Sequence, residues 1–318
     1  MYFTILSSKP KTDSEKVAVA IKDLTPSDEM ILVRTRSKTS TGSMGALEFY
    51  EEGNGYIVNK KTGKFTLADF AKAGGLNSPD DINIIGKYNG YIYVHTVNEG
   101  ITRVKDGKVE KIVEYANPSN IQIKSNKLLY VINNLKTKVN EVNLMNLDSG
   151  TNNVIYKAVG LDYVDAKLND NGTVIAERLH SVEQYSSSGK FVGTILTDFR
   201  HIVSVDDNYV YFIIWGKSEM SRYNLKTETT DTIAKDKYNS NLYNIKTGVE
   251  VDGARLLDLI GVDKNDNLYS LIFDDNDNVF FMSKDNSKIF SVDKISGVKY
   301  KVLDVSEKNE YITASYQL

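Results

Sequence analysis

Short apolar stretches alternate with turns rich in Asn, Asp and Gly along most of the chain. One pattern recurs, a turn followed by alternating aromatic or β-branched residues, and it is found at 89–94, 126–131, 171–175, 207–212 and 277–281. The first four copies begin 37, 45 and 36 residues apart, and the last gap of 70 residues is close to two periods. Asn and Gly tolerate the positive φ of hairpin turns, and alternating Tyr, Val and Ile suit pleated strands, so each copy predicts a β-hairpin.

A second turn follows later in each unit, usually with a glycine. It is found at 60–64, 105–108, 148–150, 187–190 and 295–297, and 226–228 occupies the same place without glycine. Each unit is therefore predicted to contain two hairpins and four strands, a to d. In the second unit these strands are expected at about 82–86, 91–95, 101–104 and 109–114.

The repeat predicts an all-β protein, because no amphipathic helical stretch separates the strands as a βαβ fold would require. A four-stranded sheet of about forty residues cannot bury both of its faces alone. Radial stacking of such sheets solves this problem and leaves only short edges exposed. We therefore expect one β-propeller domain of four-stranded antiparallel blades over residues 1–318. A β-sandwich and a β-solenoid are the alternatives.

The blade boundaries follow from the two turns. Five blades are expected at 29–70, 80–116, 119–160, 162–198 and 200–237. The irregular stretch at 240–265 and the unit after it, which ends near 305, are interpreted as one elongated blade, with two compressed blades as the alternative. Residues 2–6, 17–21 and 311–316 also have strand character. Pairing strands from both termini in one blade removes open edges. This predicts a ring of seven blades closed by both termini, with six blades as the alternative.

Two segments resemble known propeller repeats. The hairpin at 262–269 (VDKNDNLY) resembles the repeats of TolB-like, NHL-like, lactonase and lyase propellers, and 283–290 (SKDNSKIF) is similar to a sialidase Asp-box with Ser287 in place of glycine. The resemblance implies a propeller fold. It does not imply one function, because such propellers serve binding, scaffolding, hydrolysis and elimination alike.

Composition excludes some classes of function. The net charge of −3 argues against a nucleic-acid-binding surface, and no apolar run is long enough to predict a transmembrane helix. The chain has no cysteine, so disulfides and thiolate chemistry are excluded. We expect an extracellular or cell-surface protein if a signal segment has been removed before Met1, and a cytoplasmic one otherwise.

The strand assignment gathers rare residues on one side of the sheets. The b–c loops and the d–a junctions share that side, which we expect to bind a protein or glycan ligand, because aromatic and basic side chains are enriched in binding surfaces. The predicted ligand-binding face contains His95, Tyr115, Asn117, His180, Arg200, His201 and Trp215. Of these, His95, His180 and Trp215 are placed at or after the ends of b strands, and the others in d–a junctions.

No catalytic motif is present, so the favoured interpretation is a non-enzymatic binding module without a cofactor. The alternative is a metal-dependent enzyme of lactonase or lyase type, suggested by the resemblance together with His95, His180 and His201. Residues 263–267 and 274–278 alternate oxygen-bearing side chains as calcium loops do, but both lack the glycine of such loops. They are better explained as Asp- and Asn-rich turns.

Overall fold

The computed structural model contains strands and one short helix in the part of the chain that it describes. The described residues are 12–22, 30–41, 48–68, 82–114, 118–134, 136–159, 164–178, 181–197, 200–214, 220–234, 242–243, 250–251, 270–274, 278–283, 285–293, 299–308 and 310–317. The chain divides into two compact units, one formed by 1–114, 269–292 and 300–318 and the other by 115–268 and 293–299. None of the described helices is long and apolar enough to cross a membrane.

The strands before residue 114 form most of the first unit. In chain order they are β1 (Met30–Thr41), β2 (Glu48–Asn59), β3 (Phe65–Ala68), β4 (Ile82–Tyr88), β5 (Tyr91–Thr96), β6 (Gly100–Lys105) and β7 (Lys108–Val113). They are preceded by α1 (Asp13–Ala20).

The second unit contains the next fourteen strands. They are β8 (Pro118–Lys124), β9 (Lys127–Asn134), β10 (Val139–Asn146), β11 (Asn152–Val159), β12 (Val164–Leu168), β13 (Val174–Arg178), β14 (Val182–Tyr185), β15 (Phe191–Leu196), β16 (Arg200–Val205), β17 (Tyr209–Ile214), β18 (Met220–Asn224), β19 (Thr230–Ala234), β20 (Leu242–Tyr243) and β21 (Glu250–Val251).

The chain then returns to the first unit. Its last strands are β22 (Ser270–Asp274), β23 (Asn278–Met282), β24 (Lys288–Asp293), β25 (Lys299–Asp304) and β26 (Glu310–Gln317), with a 3₁₀ turn at Ser306–Lys308 before β26.

These strands form six four-stranded sheets and one two-stranded ribbon among the described residues. We number the sheets in chain order: sheet I is β26-β1-β2-β3, sheet II β4–β7, sheet III β8–β11, sheet IV β12–β15, sheet V β16–β19 and sheet VI β22–β25, with β20–β21 as the ribbon. Consecutive strands pair antiparallel, as in β4–β5 and β5–β6. The predicted unit of four strands and two tight hairpins is therefore confirmed.

The strands of each sheet begin and end on two opposite sides of the sheet, and these two sides have different connections. We call the edge at which the second strand ends and the third begins the loop edge. The opposite edge, which contains the a–b and c–d hairpins, is the hairpin edge. Apolar clusters join neighbouring sheets of the second unit: Val131, Leu144 and Ala166 belong to the cluster of sheets III and IV, and Ile175 and Phe212 to that of sheets IV and V.

The C-terminal strand joins the N-terminal strands of the first unit. Strand β26 pairs antiparallel with β1, from Ile31–Gln317 to Ser37–Glu310. The Glu310 carboxylate accepts hydrogen bonds from the hydroxyls of Tyr56 (2.6 Å) and Thr35 (3.0 Å), both completely buried. The C-terminal strand thus completes the sheet formed by β1–β3, which was expected to be a complete blade of its own at 29–70.

The prediction of a strand at 17–21 was wrong. Val17 and Ala18 belong to α1, whose N-cap is Thr12. The Thr12 hydroxyl accepts from the Glu15 N–H, and the Glu15 carboxylate accepts from the Thr12 N–H, which is a capping box. Val17, Ala18 and Ile21 then face one apolar cluster with Ile92 of sheet II. Helical capping and packing outweigh the β propensity of the valine. The strand expected at 2–6 lies outside the described residues.

One five-residue turn occurs four times, in sheets I, III and V. The first Asn side-chain oxygen accepts from the N–H groups two and three residues later, and the fifth residue has positive φ. The copies are NKKTG (59–63), NLKTK (134–138), NLDSG (146–150) and NLKTE (224–228). The turn at 226–228 was therefore placed correctly although Glu228 (φ 57°) stands where glycine is usual.

Candidate functional site

Two of the seven predicted ligand-binding residues have described side chains, and they belong to different units. His95 is the penultimate residue of β5 and pairs with Asn83 of β4 and Ile101 of β6. Its Nε2 atom is buried without a hydrogen-bond partner among the described residues. Burial lowers the pKa of His95 because the charged imidazolium loses hydration.

His201 lies at the start of sheet V in the second unit. Both Arg200 and His201 are the first residues of β16, where they pair with Ile214 and Ile213 of β17. They were expected in the junction before this strand. The register extends further because the β-branched residues of both strands continue the ladder. The His201 side chain is 47% exposed.

The other predicted residues lie outside the described residues. Tyr115 and Asn117 fall between β7 and β8, His180 falls two positions after β13, and Trp215 follows β17 directly. Their neighbouring strands end where the repeat predicts, which keeps these positions on the loop-edge side of the sequence pattern. Their assignment to a ligand-binding face remains a prediction.

Buried acidic side chains at this edge were not predicted. Glu177 and Asp165 face each other across β13 and β12 in sheet IV, and they are 4% and 3% exposed. The Glu177 Oε2 atom accepts from the Ile202 N–H (2.9 Å) and lies 3.5 Å from His201 Nδ1. Asp165 Oδ2 lies 3.6 Å from the Lys167 ammonium. Glu177 thus connects sheet IV to the first strand of sheet V.

The environment of Glu177 changes its protonation. Burial raises the pKa of the carboxyl, and the nearby Asp165 carboxylate also raises it, whereas the Ile202 hydrogen bond, His201 and Lys167 lower it. The net effect is a pKa above the ordinary value, because desolvation is the largest of these effects. Glu177 therefore binds a proton more readily than an exposed glutamate.

A second acidic side chain holds the arginine at the end of β13. Glu183 Oε1 accepts from Arg178 Nη1 (2.8 Å), and its Oε2 accepts from the Tyr185 hydroxyl (2.7 Å). The Arg178 guanidinium also lies over the Tyr156 ring, 4.8 Å from its centre. Burial raises the pKa of Tyr185, and the hydrogen bond to Glu183 raises it further. Arg178 keeps 34% of its side chain exposed.

The loop edge of the second unit therefore has two partly exposed nitrogen-bearing side chains, each beside a buried acidic side chain. Arg178 is held by its hydrogen bond to Glu183, and His201 Nδ1 lies 3.5 Å from Glu177. Such side chains can donate hydrogen bonds to a ligand with little loss of rotamer entropy. Among the described residues, no three His, Asp or Glu side chains are grouped so that they could hold a metal ion. The segments considered for calcium, 263–267 and 274–278, lie entirely or largely outside the described residues.

The acidic partners were missed for a physical reason. Along their strands, Asp165 and Glu177 occupy positions that alternate with apolar residues. In a sheet with one solvated face, such positions would point to water. In this unit that face packs on the next sheet, where Ile202 belongs to the same apolar cluster as Ile175. The signal that could have found Glu177 is its place in VIAER, inside the second predicted strand of its repeat.

Comparison with known proteins identifies the fold. No known protein family and no curated protein matches the chain. A solved prolyl endopeptidase is similar at 10% identity with a TM-score of 0.56, over 91% of this chain and 51% of that one. AztD from Citrobacter koseri (9% identity, 90% and 97% coverage, TM-score 0.45) and TolB from Acinetobacter baumannii (10%, 90% and 82%, 0.41) also match.

These structures are propeller folds. The chain spans about half the length of the prolyl endopeptidase, and at this identity the likeness shows the fold alone. Together with the repeated four-stranded antiparallel sheets, the likeness to the prolyl endopeptidase supports the predicted all-β propeller fold.

Proposed function

We propose that this protein is a non-enzymatic binding module that holds a protein or glycan ligand at the loop edge of its second unit. The ligand surface is centred on His201 and Arg178. From the sequence we add His180, Arg200 and Trp215, which lie at or next to the ends of β13, β16 and β17, and Tyr115 and Asn117, which lie between β7 and β8. His95 occupies the loop edge of sheet II in the first unit.

One observation carries this proposal. Arg178 donates a hydrogen bond of 2.8 Å to the buried Glu183, and His201 Nδ1 lies 3.5 Å from Oε2 of the buried Glu177, while 34% and 47% of the two side chains remain exposed. A buried carboxylate costs free energy unless it is paired. A surface side chain that pairs with it offsets this cost and is itself held in one orientation. Fixed donors beside aromatic residues are typical of binding hot spots.

The experiment begins with a search for ligands. Purified protein is screened on a glycan array and against a phage-displayed peptide library. Each binder is then retested on His201→Ala, on Trp215→Ala, and on Lys226→Ala, an exposed position of the hairpin edge. The proposal expects binders that are lost with the first two variants and retained with the third. Binders that respond only to Lys226→Ala would refute it.

The metal-dependent enzyme is tested on the same sample. A metal that binds the folded state raises the thermal midpoint by mass action. We expect the midpoint to be unchanged by millimolar Ca²⁺, Mg²⁺ or Mn²⁺ after treatment with a chelator. A midpoint that rises with one of these ions, and that falls back in His201→Ala, would favour the enzyme over the binding module.

For the architecture, we propose that the sheets form a ring of seven blades, with the ribbon β20–β21 marking the irregular blade. Six four-stranded sheets and this ribbon support seven, and the alternative is six. The pairing of β26 with β1 supports closure of the ring by the two ends of the chain. An electron-microscopy class average that shows the number of blades would decide between the two.

A further inference from the structure

Strand β15 differs from the other edge strands of the four-stranded sheets. Its sequence, FVGTIL, contains no charged residue, whereas β7, β11, β19 and β25 each contain Lys, Asp or Glu. Charges on edge strands prevent pairing with other chains. Strand β3 is also uncharged, but it has only four residues and the Lys308 ammonium lies 5.5 Å from the centre of its Phe65 ring.

The exposed side of β15 is apolar. Phe191 and Val192 are 52% and 58% exposed, although large apolar side chains are normally buried. Strand β15 is the last strand of sheet IV, and among the strands that the structure describes it pairs only with β14. Along its other side, the backbone N–H and C=O groups of β15 are not paired with any described strand.

No contact with the described residues explains why position 193, in the middle of β15, is a glycine. Its φ is not in the left-handed region, and a Cβ added there would meet none of the described atoms within 4 Å. Gly189 in the preceding hairpin is different, because a Cβ there would lie 2.5 Å from Ile155 and its φ is +83°. A glycine inside a strand weakens the strand, and it often marks the close approach of another backbone.

The charges that flank β15 indicate which strand pairs with it. Lys190 precedes the strand and Asp198 follows it by two positions in the sequence. When two copies of this strand pair antiparallel about a two-fold axis, the lysine end of one lies beside the aspartate end of the other. A parallel pair would place like charges together. The uncharged centre and the opposite charges at its ends are therefore self-complementary.

We propose that β15 is a homodimerisation strand, which pairs antiparallel with β15 of a second copy around Gly193 and Thr194. The ladder is short, because the β14–β15 register shifts beside Val192 and Ile195. Short interfaces bind weakly, so the dimer forms with a dissociation constant on the order of 10–100 µM.

Mass measurement over a concentration series tests the dimer. By sedimentation equilibrium, the wild-type protein should pass from monomer to dimer between about 1 and 300 µM. Val192→Lys places a charge on the strand and should keep the protein monomeric. Val154→Lys, on a similarly exposed position of β11 (52% against 58% for Val192), should dimerise like the wild type. Circular dichroism confirms that both variants are folded. A wild-type protein that stays monomeric at 300 µM overturns the proposal.

Disulfide trapping tests the contact itself. The chain has no cysteine, so each single variant contains one thiol. Val192→Cys, Gly193→Cys and Thr194→Cys are oxidised at 100 µM beside Val154→Cys. A residue near a two-fold axis faces its own copy, so at least one of the three should form a cross-linked dimer at least fivefold faster than Val154→Cys. Equal rates in all four variants would place the contact elsewhere and overturn the proposal.

Discussion

At the residue scale, the repeated Asn hairpin explains why the turns could be predicted from the sequence. The Asn side chain accepts from N–H groups two and three residues away, so the structure of the turn depends on neighbouring residues alone. The fifth position tolerates positive φ in Gly63 and Gly150, but Lys138 and Glu228 adopt it at a cost.

That cost gives the first prediction. Glu228→Gly should raise the free energy of unfolding by about 0.5–1 kcal/mol, because relief of the left-handed strain exceeds the entropy that glycine adds to the unfolded chain. Urea denaturation measures the change. Lys226→Gly in the same turn, without positive φ, should lower stability instead. A destabilised Glu228→Gly variant would show that the strain is not relieved.

The buried carboxylates could not be predicted in this way, because their burial depends on a neighbouring sheet. Glu177 has a raised pKa, so the folded protein binds its proton more tightly than the unfolded chain does. Its stabilising contribution is therefore fully present below the unfolded pKa of about 4.5 and is lost as the pH rises through the folded value.

Glu177→Gln removes this titration and keeps an oxygen acceptor for the Ile202 N–H. The stability of the variant relative to wild type should therefore rise as the pH is raised from 4.5 to 8. Chemical denaturation across this range measures the difference, with Glu307→Gln as the exposed control. A difference that falls with pH would mean that the ionised carboxylate stabilises the fold.

At the element scale, α1 shows where the repeat pattern fails. Its apolar residues resemble a strand, but the helix is fixed by Thr12 and by a distant residue, Glu99 in the loop after β5. The Glu99 Oε2 atom accepts from the Ser14 N–H (3.0 Å), the Ser14 hydroxyl (2.8 Å) and the Thr96 hydroxyl (3.1 Å). A carboxylate at a helix N-terminus is favourable, and no local pattern reveals this partner.

Glu99 gives the third prediction. Burial raises the pKa of its carboxyl, but the hydrogen bonds from Thr12, Ser14 and Thr96 outweigh burial and lower it. The lowered pKa stabilises the fold above the unfolded pKa, and this contribution is lost as the pH falls through the folded value.

Glu99→Gln should therefore cost about 1–2 kcal/mol at pH 7 and progressively less below pH 4.5. Hydrogen exchange at pH 7 should show the largest loss of protection in α1. Glu110→Gln, which removes an exposed partner of Arg103, is the control. An unchanged exchange rate in α1 would show that Glu99 does not hold the helix.

At the scale of the whole molecule, the sequence predicted the four-stranded repeat but not which sheet the C-terminal strand would join. That choice depends on contacts between distant residues, above all Glu310 with Tyr56 and Thr35. Glu310→Ala removes the carboxylate that accepts from two buried hydroxyls and should cost about 2–4 kcal/mol. Glu310→Gln should cost less than half of that, and the exposed Glu307→Ala almost nothing. Equal losses for all three in urea denaturation would contradict this role.

The candidate site could be predicted only in part. The strand assignment placed rare residues at strand ends, which local turns determine. The carboxylates that orient His201 and Arg178 come from pairing between strands and sheets, which local patterns do not contain. The proposed function therefore rests on the positions of these two side chains.

The role of His201 in ligand binding is measured by isothermal titration of a ligand found on the glycan array or in the peptide library. Wild type, His201→Ala and Lys226→Ala are compared at pH 7. We expect His201→Ala to weaken binding at least tenfold, which is a loss of about 1.4 kcal/mol of binding free energy. Lys226→Ala should change the affinity less than twofold. Unchanged binding in His201→Ala, together with weakened binding in Lys226→Ala, would place the ligand at the hairpin edge and contradict the account.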